Sequence, residues 1–531
     1  MLRPEALQKD EPLIWSTGTG TDVWEMFQAA IAGDVPSLER LLDRDPSLVR
    51  GQFAYLPPLY FAVRENQVKA AAFLLEQGAN PMPFTGGHDS LPLMARERGY
   101  AEMEALLNDT LARVHGVLPE ASAVAAAIRG RDLATVRSLL DASPELLRAG
   151  DGRSNQPIHW AVMTRQIDLI DELLARGANV NARRSDGARP IQLTNGDYHY
   201  RGWRDAPKDA TTPREVLAHL RSRGAYCDIC TACYIGDLER VRELLDQDAT
   251  LANRPSEYVT YYACSGTPLR NAAAAGHMEI VKLLLERGAD PNLPEEGIAP
   301  RGHALYSAVY HGHLEVARFL LEKGAYPNAP VESSADTLSI AIMHDDQPAI
   351  QLLCEHGAAR AVHLLAYYGD LRTAAAVFAA NPALANDPEA LGNAADEGHE
   401  DFVRLLLRYQ PDLAKHISQG AKTTALTELL FQHGMDPNRP DWLMVTPLHK
   451  LAARGDVENA TIFLDHGADM NARDEDLRST PLGYAAKEGR TEMVEFLLKR
   501  GALPSLPDDP PWATPLAWAT RRGHTDIVQL L

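Results

Sequence analysis

Apolar residues in this chain come in short paired bursts, and the spacing inside each burst is helical. In the stretch from Thr446 to Asn471, Leu448, Leu451 and Ala452 fall on one stripe and predict a buried helix face. Thr446 suits an N-cap, and Pro447 suits the first helical position, where a missing N–H costs nothing. Gly455 breaks that helix after roughly two turns. A second helix carries Ile462 and Phe463 inward, and Gly467 stops it in the left-handed conformation glycine favours. The polar Asp469-Met470-Asn471 leads out, and Thr480-Pro481-Leu482 starts again. The predicted module is helix, turn, helix, loop.

The module recurs. Gly-Ala dipeptides follow apolar pairs at Gly78, Gly177, Gly224, Gly288, Gly324, Gly357, Gly467 and Gly501. Gly324 to Gly357 is 33 residues, Gly434 to Gly467 is 33, and Gly467 to Gly501 is 34. A fixed interval of this size means a stack of like modules. Three copies carry a family signature: Thr446-Pro447-Leu448-His449; Thr267-Pro268-Leu269 with Gly276-His277, Val281, Leu284-Leu285 and Gly288-Ala289-Asp290-Pro291-Asn292; and Thr514-Pro515-Leu516 with Gly523-His524. They resemble the ankyrin repeat. Weaker copies run from Pro58-Leu59 to Gly78-Ala79-Asn80, from Pro157-Ile158-His159 to Gly177-Ala178-Asn179, and from His303-Ala304-Leu305 to Gly324-Ala325 and Asn328. The resemblance covers almost the whole chain. It implies an all-α solenoid of about 15 to 16 helix-turn-helix modules with hairpin-like loops, wound into a curved superhelix.

Four modules end in an Asp-Pro-like turn instead of Gly-Ala, near Pro46, Pro144, Ala249 and Pro382, and each opens a block. The expected organisation is a flexible tail over 1–21 and blocks over 22–116, 117–226, 227–360 and 361–531. The last module breaks off inside its second helix, at Asp526-Ile527-Val528 and Leu530-Leu531, with no Gly-Ala exit. Two insertions interrupt the rhythm. The module opening at Pro190-Ile191 loses its first helix after Thr194, and a polar, aromatic segment follows up to Thr212-Pro213. This insert, 195–212, is expected to project from the edge opposite the inter-module loops. The loop 254–266 is lengthened and carries Tyr258, Tyr261 and Tyr262.

Hydrophobic content of 45% allows a continuous core, and no apolar run reaches the ~18 residues of a membrane span. The start lacks the apolar core of a secretory signal, so the cytoplasm is the expected compartment. The formal net charge is −20, which repels nucleic acid and anionic membrane and favours a partner with a basic patch. Five cysteines, an odd number, argue against a disulfide framework. Cys227, Cys230 and Cys233 form a Cys-x-x-Cys-x-x-Cys run, but the register set by Gly236-Asp237 puts them in the cap, His and small-residue slots of a module. There cysteine serves as a small hydrophobe, and no metal or cofactor is expected. His277, His313, His399 and His524 fill the Gly-His turn, and His159 and His449 the Thr-Pro-Leu-His slot. The resemblance implies hydrogen-bonding roles for all six. Phosphate-binding loops, dinucleotide fingerprints, nucleophile elbows and zinc-protease helices are missing from the sequence, and no catalytic residues are assigned.

Aromatic residues are the binding candidates. The resemblance implies that the residue after the His slot points into a concave face, and Phe61, Trp160, Tyr484 and Trp518 hold that slot. Trp160, Tyr198, Tyr200, Trp203, Tyr258, Tyr261, Tyr262, Tyr306 and Tyr310 are the predicted contact residues, because aromatics bring large area at little rotamer cost. The expected function is a non-catalytic protein-interaction scaffold or inhibitor gripping a protein through that face and its long loops. The alternative is an enzyme or small-molecule binder whose groove lies under the insert, with His199, Arg201, Arg204 and Asp205 beneath it.

Overall fold

Each module is built from two short helices with different burial. The computed structural model describes residues 1–83, 89–197, 199–256, 264–293, 303–331 and 335–531. The first helix of a strong copy, Pro268–Ala274, is buried at every position, Arg270 and Asn271 included. It lies between the first helices of its neighbours, Ile229–Ile235 and Ala304–Tyr310, so small Ala272, Ala273 and Ala274 are what fit. The second helix, Met278–Glu286, is amphipathic. It buries Ile280, Val281, Leu283 and Leu284 and leaves Glu279 and Lys282 outside as an ion pair of 2.8 Å. Burial of each such aliphatic side chain stabilises the stack by about 1.5–3 kcal/mol.

The caps are those the residues dictate. The Thr267 hydroxyl accepts the Arg270 N–H at 3.2 Å, and the Thr514 hydroxyl accepts that of Ala517 at 3.2 Å. Second helices stop at glycines with positive φ, among them Gly288 at +84° and Gly467 at +88°. Those glycines also join modules. Asn292 donates from Nδ2 to the Gly324 carbonyl at 2.9 Å and accepts the Tyr326 N–H at 2.7 Å. Asn181, Asn253, Asn328 and Asn438 make the same pair of bonds to the next exit turn. The Gly-His histidines tie backward instead: His277, His313, His399 and His524 bond through Nε2 to carbonyls of Tyr234, Ala274, Tyr367 and Lys487. A module is thus held mainly by the modules beside it.

Among the described residues all extended helical structure belongs to such modules, and β-structure is limited to isolated bridges such as Gly196↔Arg201. The Asp-Pro-like turns form short 3-10 helices, Pro46–Arg50, Pro144–Leu147, Ala249–Asn253 and Pro382–Ala385, and a fifth, Leu413–His416, follows Pro411-Asp412. The chain divides into two compact units. One comprises Met1–Glu5, Glu97–Gly99 and Arg360–Leu531; the other comprises Ala6–Arg96 and Tyr100–Ala359. The opening residues, expected as a flexible tail, carry the short helix Glu5–Gln8 with Leu7 buried. The Thr17 hydroxyl donates to the Ser47 carbonyl at 2.7 Å, and Thr19 caps the helix Gly20–Ala32.

Candidate functional site

The helix Pro157–Met163 is fixed at its start by His159. The Gln156 N–H donates to Nδ1 at 3.0 Å, so the proton sits on Nε2, which donates to the Ala182 carbonyl at 3.1 Å. Burial drives the His159 pKa down to about 3, and nearby Arg184 adds to the effect. Trp160 follows, buried, with its indole N–H donating to the Asp151 carboxylate at 2.7 Å. The same carboxylate accepts the N–H groups of Arg153 at 2.9 Å and Asn155 at 3.0 Å.

The insert folds over this helix. Gly202 donates to the Asn195 carbonyl at 3.0 Å and Asp197 to that of Tyr200 at 2.8 Å, closing a tight hairpin. Gly196 is obligatory there: its φ is +86°, and a Cβ would meet the Tyr200 carbonyl oxygen at 2.0 Å. Asp197 completes a buried ion pair with Arg184 at 2.6 Å, and Arg184 also binds Asp186 and the Asn155 side-chain oxygen. Burial raises the Asp197 pKa, but Arg184 and the N–H groups of Tyr200 and His199 outweigh it, and the net shift is downward. Tyr200 lies edge-on to Trp160 with ring centres 5.6 Å apart. The part of the insert from Asn195 to Gly202 therefore does not project as expected but packs back onto the stack. The insert turns back onto the first helix and the loop around Arg184, because a buried guanidinium needs its carboxylate and Trp160 needs cover.

Three arginines border the aromatic pair, and a fourth, Arg153, lies on the loop that carries Asp151. The Arg129 guanidinium stands 4.9 Å over the Trp160 ring. Arg131 donates to the Thr164 carbonyl at 2.7 Å, and Arg165 donates to the Asn195 side-chain oxygen at 2.8 Å. Arg153 lies near enough to Asp197, Asp151, Arg184 and Arg129 to feel each charge. Burial pushes its pKa down, as it does that of Arg165. The Tyr200 phenol is raised by burial and by Asp205, against the pull of Arg131, Arg165 and Arg129, so it stays a proton donor. Among the described residues none of Arg129, Arg131, Arg153 and Arg165 is ion-paired. Sequence reading missed these arginines. The available signal was positional: Arg131 and Arg165 have φ of +56° and +58°, in turns where other modules place Gly276 at +73° and Gly312 at +74°.

Of the polar groups expected beneath the insert, His199 is exposed and donates its backbone N–H to Asp197 at 2.9 Å. Arg204 and Asp205 are exposed and bind each other at 2.8 Å, and the Arg201 N–H bonds Asp205 at 2.8 Å. Of the other predicted contact residues, Tyr306 and Tyr310 form a second pair, stacked with centres 6.1 Å apart. Tyr306 is fully buried and Tyr310 half-buried, so Tyr306 is a core residue and not an exposed contact. Phe61 and Trp518 are likewise buried, against Phe27 at 4.5 Å and Trp512 at 6.1 Å, which corrects their expected outward aim. Tyr484 lies edge-on to His449 at 4.9 Å. Tyr198, the Trp203 side chain and Tyr258, Tyr261 and Tyr262 lie outside the described residues.

The cysteine run has a shifted register. Asp228, not Cys227, caps Ile229–Ile235 by accepting the Thr231 N–H at 2.7 Å, and the helix reaches Gly236 one residue sooner than its neighbour reaches Gly276. Cys230 then falls in the buried leucine slot and donates to the Gly266 carbonyl at 3.3 Å. Burial raises the pKa of Cys230 and Cys233 far up and that of Cys227 to about 11. Among the described residues no group of three or more His, Cys, Asp or Glu side chains is placed to hold a metal ion. Nor, among them, is any helix long and apolar enough to cross a membrane.

Comparison with known proteins agrees with the helix pairs. The family model for ankyrin repeats in three copies matches residues 229–331, 413–508 and 477–531, and the model for a single ankyrin repeat matches 155–185. A stretch of 150 residues is 26% identical to the human transient receptor potential cation channel subfamily A member 1. That stretch is 28% of this chain and spans only 12% of the channel protein. With the repeat models matching on both sides of the insert, over the same capped, glycine-closed helix pairs, the chain is an ankyrin-repeat protein.

Proposed function

We propose that this chain is a non-catalytic protein-interaction scaffold or inhibitor, and that its partner rests on the surface formed by Arg129, Arg131 and Tyr200 over the buried Trp160. The supporting observation is the aromatic step of Tyr200 on Trp160, bordered by arginines without ion pairs. Aromatic residues and arginine are the types that dominate binding energy at protein interfaces. All five cysteines are free, which suits a cytoplasmic setting. The net charge of −20 would steer a partner that carries a basic patch toward the chain from a distance, while the local surface selects what docks. The channel relative is covered over too little of its length to bring channel activity into this proposal.

A photo-crosslinking residue placed at Tyr200 tests the reading, with the exposed Asp168 of the second helix Ile167–Ala175 as control. In extract of the cells that make the protein, position 200 should yield discrete protein adducts and position 168 none. Equal labelling at both positions would remove the proposal.

A further inference from the structure

The acid excess of the chain is reversed locally. Arg129 stands 4.9 Å over the Trp160 ring against which Tyr200 packs, Arg131 and Arg165 act with it on the Tyr200 phenol, and Arg153 feels Arg129 and Arg184 as well as Asp197 and Asp151. The carboxylates nearest to this group are already taken. Asp151 holds the Trp160 indole and two backbone N–H groups. Asp197 holds Arg184 and the N–H groups of His199 and Tyr200. Asp205 is paired with Arg204. Arg184 takes up the charge of Asp197 and Arg204 that of Asp205, while Asp151, which with Asp197 also acts on Arg153, is one carboxylate against four guanidinium groups, so positive charge remains in excess. The Trp160 ring face stabilises the Arg129 cation, while the like charges of neighbouring guanidinium groups repel one another, and an anion between them relieves that repulsion.

Two further facts point the same way. Arg131 and Arg165 occupy left-handed turn positions, where glycine serves in other modules and an arginine is strained. Arg129 and Arg131 flank Gly130, and both reach the helix of the next module, Arg129 over the Trp160 ring and Arg131 at the Thr164 carbonyl. Planar guanidinium groups bind carboxylate and phosphate oxygens in two-pronged fashion, and a neutral phenol adds one more donor.

We propose that Arg129, Arg131, Arg153 and Arg165, with the Tyr200 hydroxyl, receive an anionic peptide segment of the protein partner. This rests on the reading that the surface binds a protein, and adds the chemistry of what it binds. Carboxylates of Asp and Glu side chains and the phosphate of a phosphorylated side chain share that chemistry. A long polyanion is disfavoured, since beyond four arginines it meets the field of a chain with net charge −20.

Fluorescence anisotropy with the full chain tests this. The probes are a labelled Glu-rich peptide, a phosphoserine peptide with its unphosphorylated form, a Lys-rich peptide of equal length, and a short DNA duplex. One or both anionic peptides should bind, with affinity falling at least about tenfold between about 50 and about 300 mM salt. Binding by the Glu-rich probe alone identifies carboxylates, and binding by the phosphorylated probe alone identifies phosphate. The variant R129A/R131G/R153A should lose at least about tenfold in affinity, with glycine suited to the φ at position 131. The wild-type salt dependence and the Lys-rich probe decide the matter even where that variant folds poorly. Binding of the Lys-rich peptide as tightly as the anionic ones, preference for the duplex, or an undiminished affinity in the folded variant would each overturn the proposal. Crosslinks at position 200 that persist without any anionic-peptide binding sink the charge assignment alone. Loss of both sinks the protein-binding reading as well.

Discussion

A glycine with positive φ has two separate reasons to be there, and this chain presents them apart. Gly276, at +73°, lies under the ring of His313 from the next module: a Cβ would sit 2.6 Å from Nδ1. That ring is anchored by its bond to the Ala274 carbonyl at 3.2 Å. Gly288, at +84°, has nothing within 4 Å of where a Cβ would go. Gly288→Ala therefore meets only the left-handed backbone penalty, about 1 kcal/mol. Gly276→Ala meets that penalty and must also push the imidazole off its carbonyl, for a total of about 2–3 kcal/mol. Urea denaturation of the two variants measures the difference, and equal losses would show that the histidine ring moves away without cost.

The insert is an element held by one buried ion pair. Asp197→Asn keeps the shape of the side chain but takes one carboxylate from Arg184, itself buried, and leaves it the Asp186 ion pair. The expected cost is about 2 kcal/mol, less than for a pair with no second carboxylate, and it falls on the hairpin and not on the helices. Limited proteolysis should cut 195–212 faster in this variant, with helical circular dichroism unchanged. Protection equal to the parent would mean that Tyr200 on Trp160 holds the insert without the ion pair. The ends of this element were legible in sequence, because Thr212-Pro213 is a local cap and Glu215 completes it at 2.8 Å. Its docking was not. Nothing periodic links Arg184 to Asp197, and no spacing rule says which of several carboxylates meets a given guanidinium. The modules read well for the opposite reason: Thr, Pro, Gly and Asn each act within a few residues or one repeat. The slot rule for aromatics failed where a neighbour supplied a ring, as Phe27 does for Phe61. The cysteine register slipped because Asp228 outcompetes Cys227 as a cap.

Across the molecule, stability against pH is set by buried groups more than by the 72 acidic and 52 basic residues, whose charges face solvent for the most part. His159 and His449 are locked neutral between a backbone N–H and a carbonyl, and burial first of all takes their pKa values from 6.5 to about 3 and about 4. Both folded values lie below the unfolded one, so the unfolded chain binds protons first. Stability is complete above pH 6.5 and falls as pH drops toward 4, by about 2 kcal/mol for each histidine at pH 5. Asp474 works the other way. Burial, then Asp476, raises its pKa from 3.8 to about 6, so the folded form takes up its proton first and gains about 1 kcal/mol between pH 7 and pH 5. His159 belongs to the compact unit Ala6–Arg96 with Tyr100–Ala359, where no carboxylate among the described residues has a raised pKa to offset it; His449 and Asp474 share the other unit. Acidification from pH 7 to pH 5 should therefore lower stability overall and lower it more around His159 than around His449. Amide exchange at Ala161 and Ala182 against that at Leu451 and Ala452 compares the two regions at each pH. Faster opening around His449 than around His159 would mean that the Asp474 proton does not offset its neighbouring histidine.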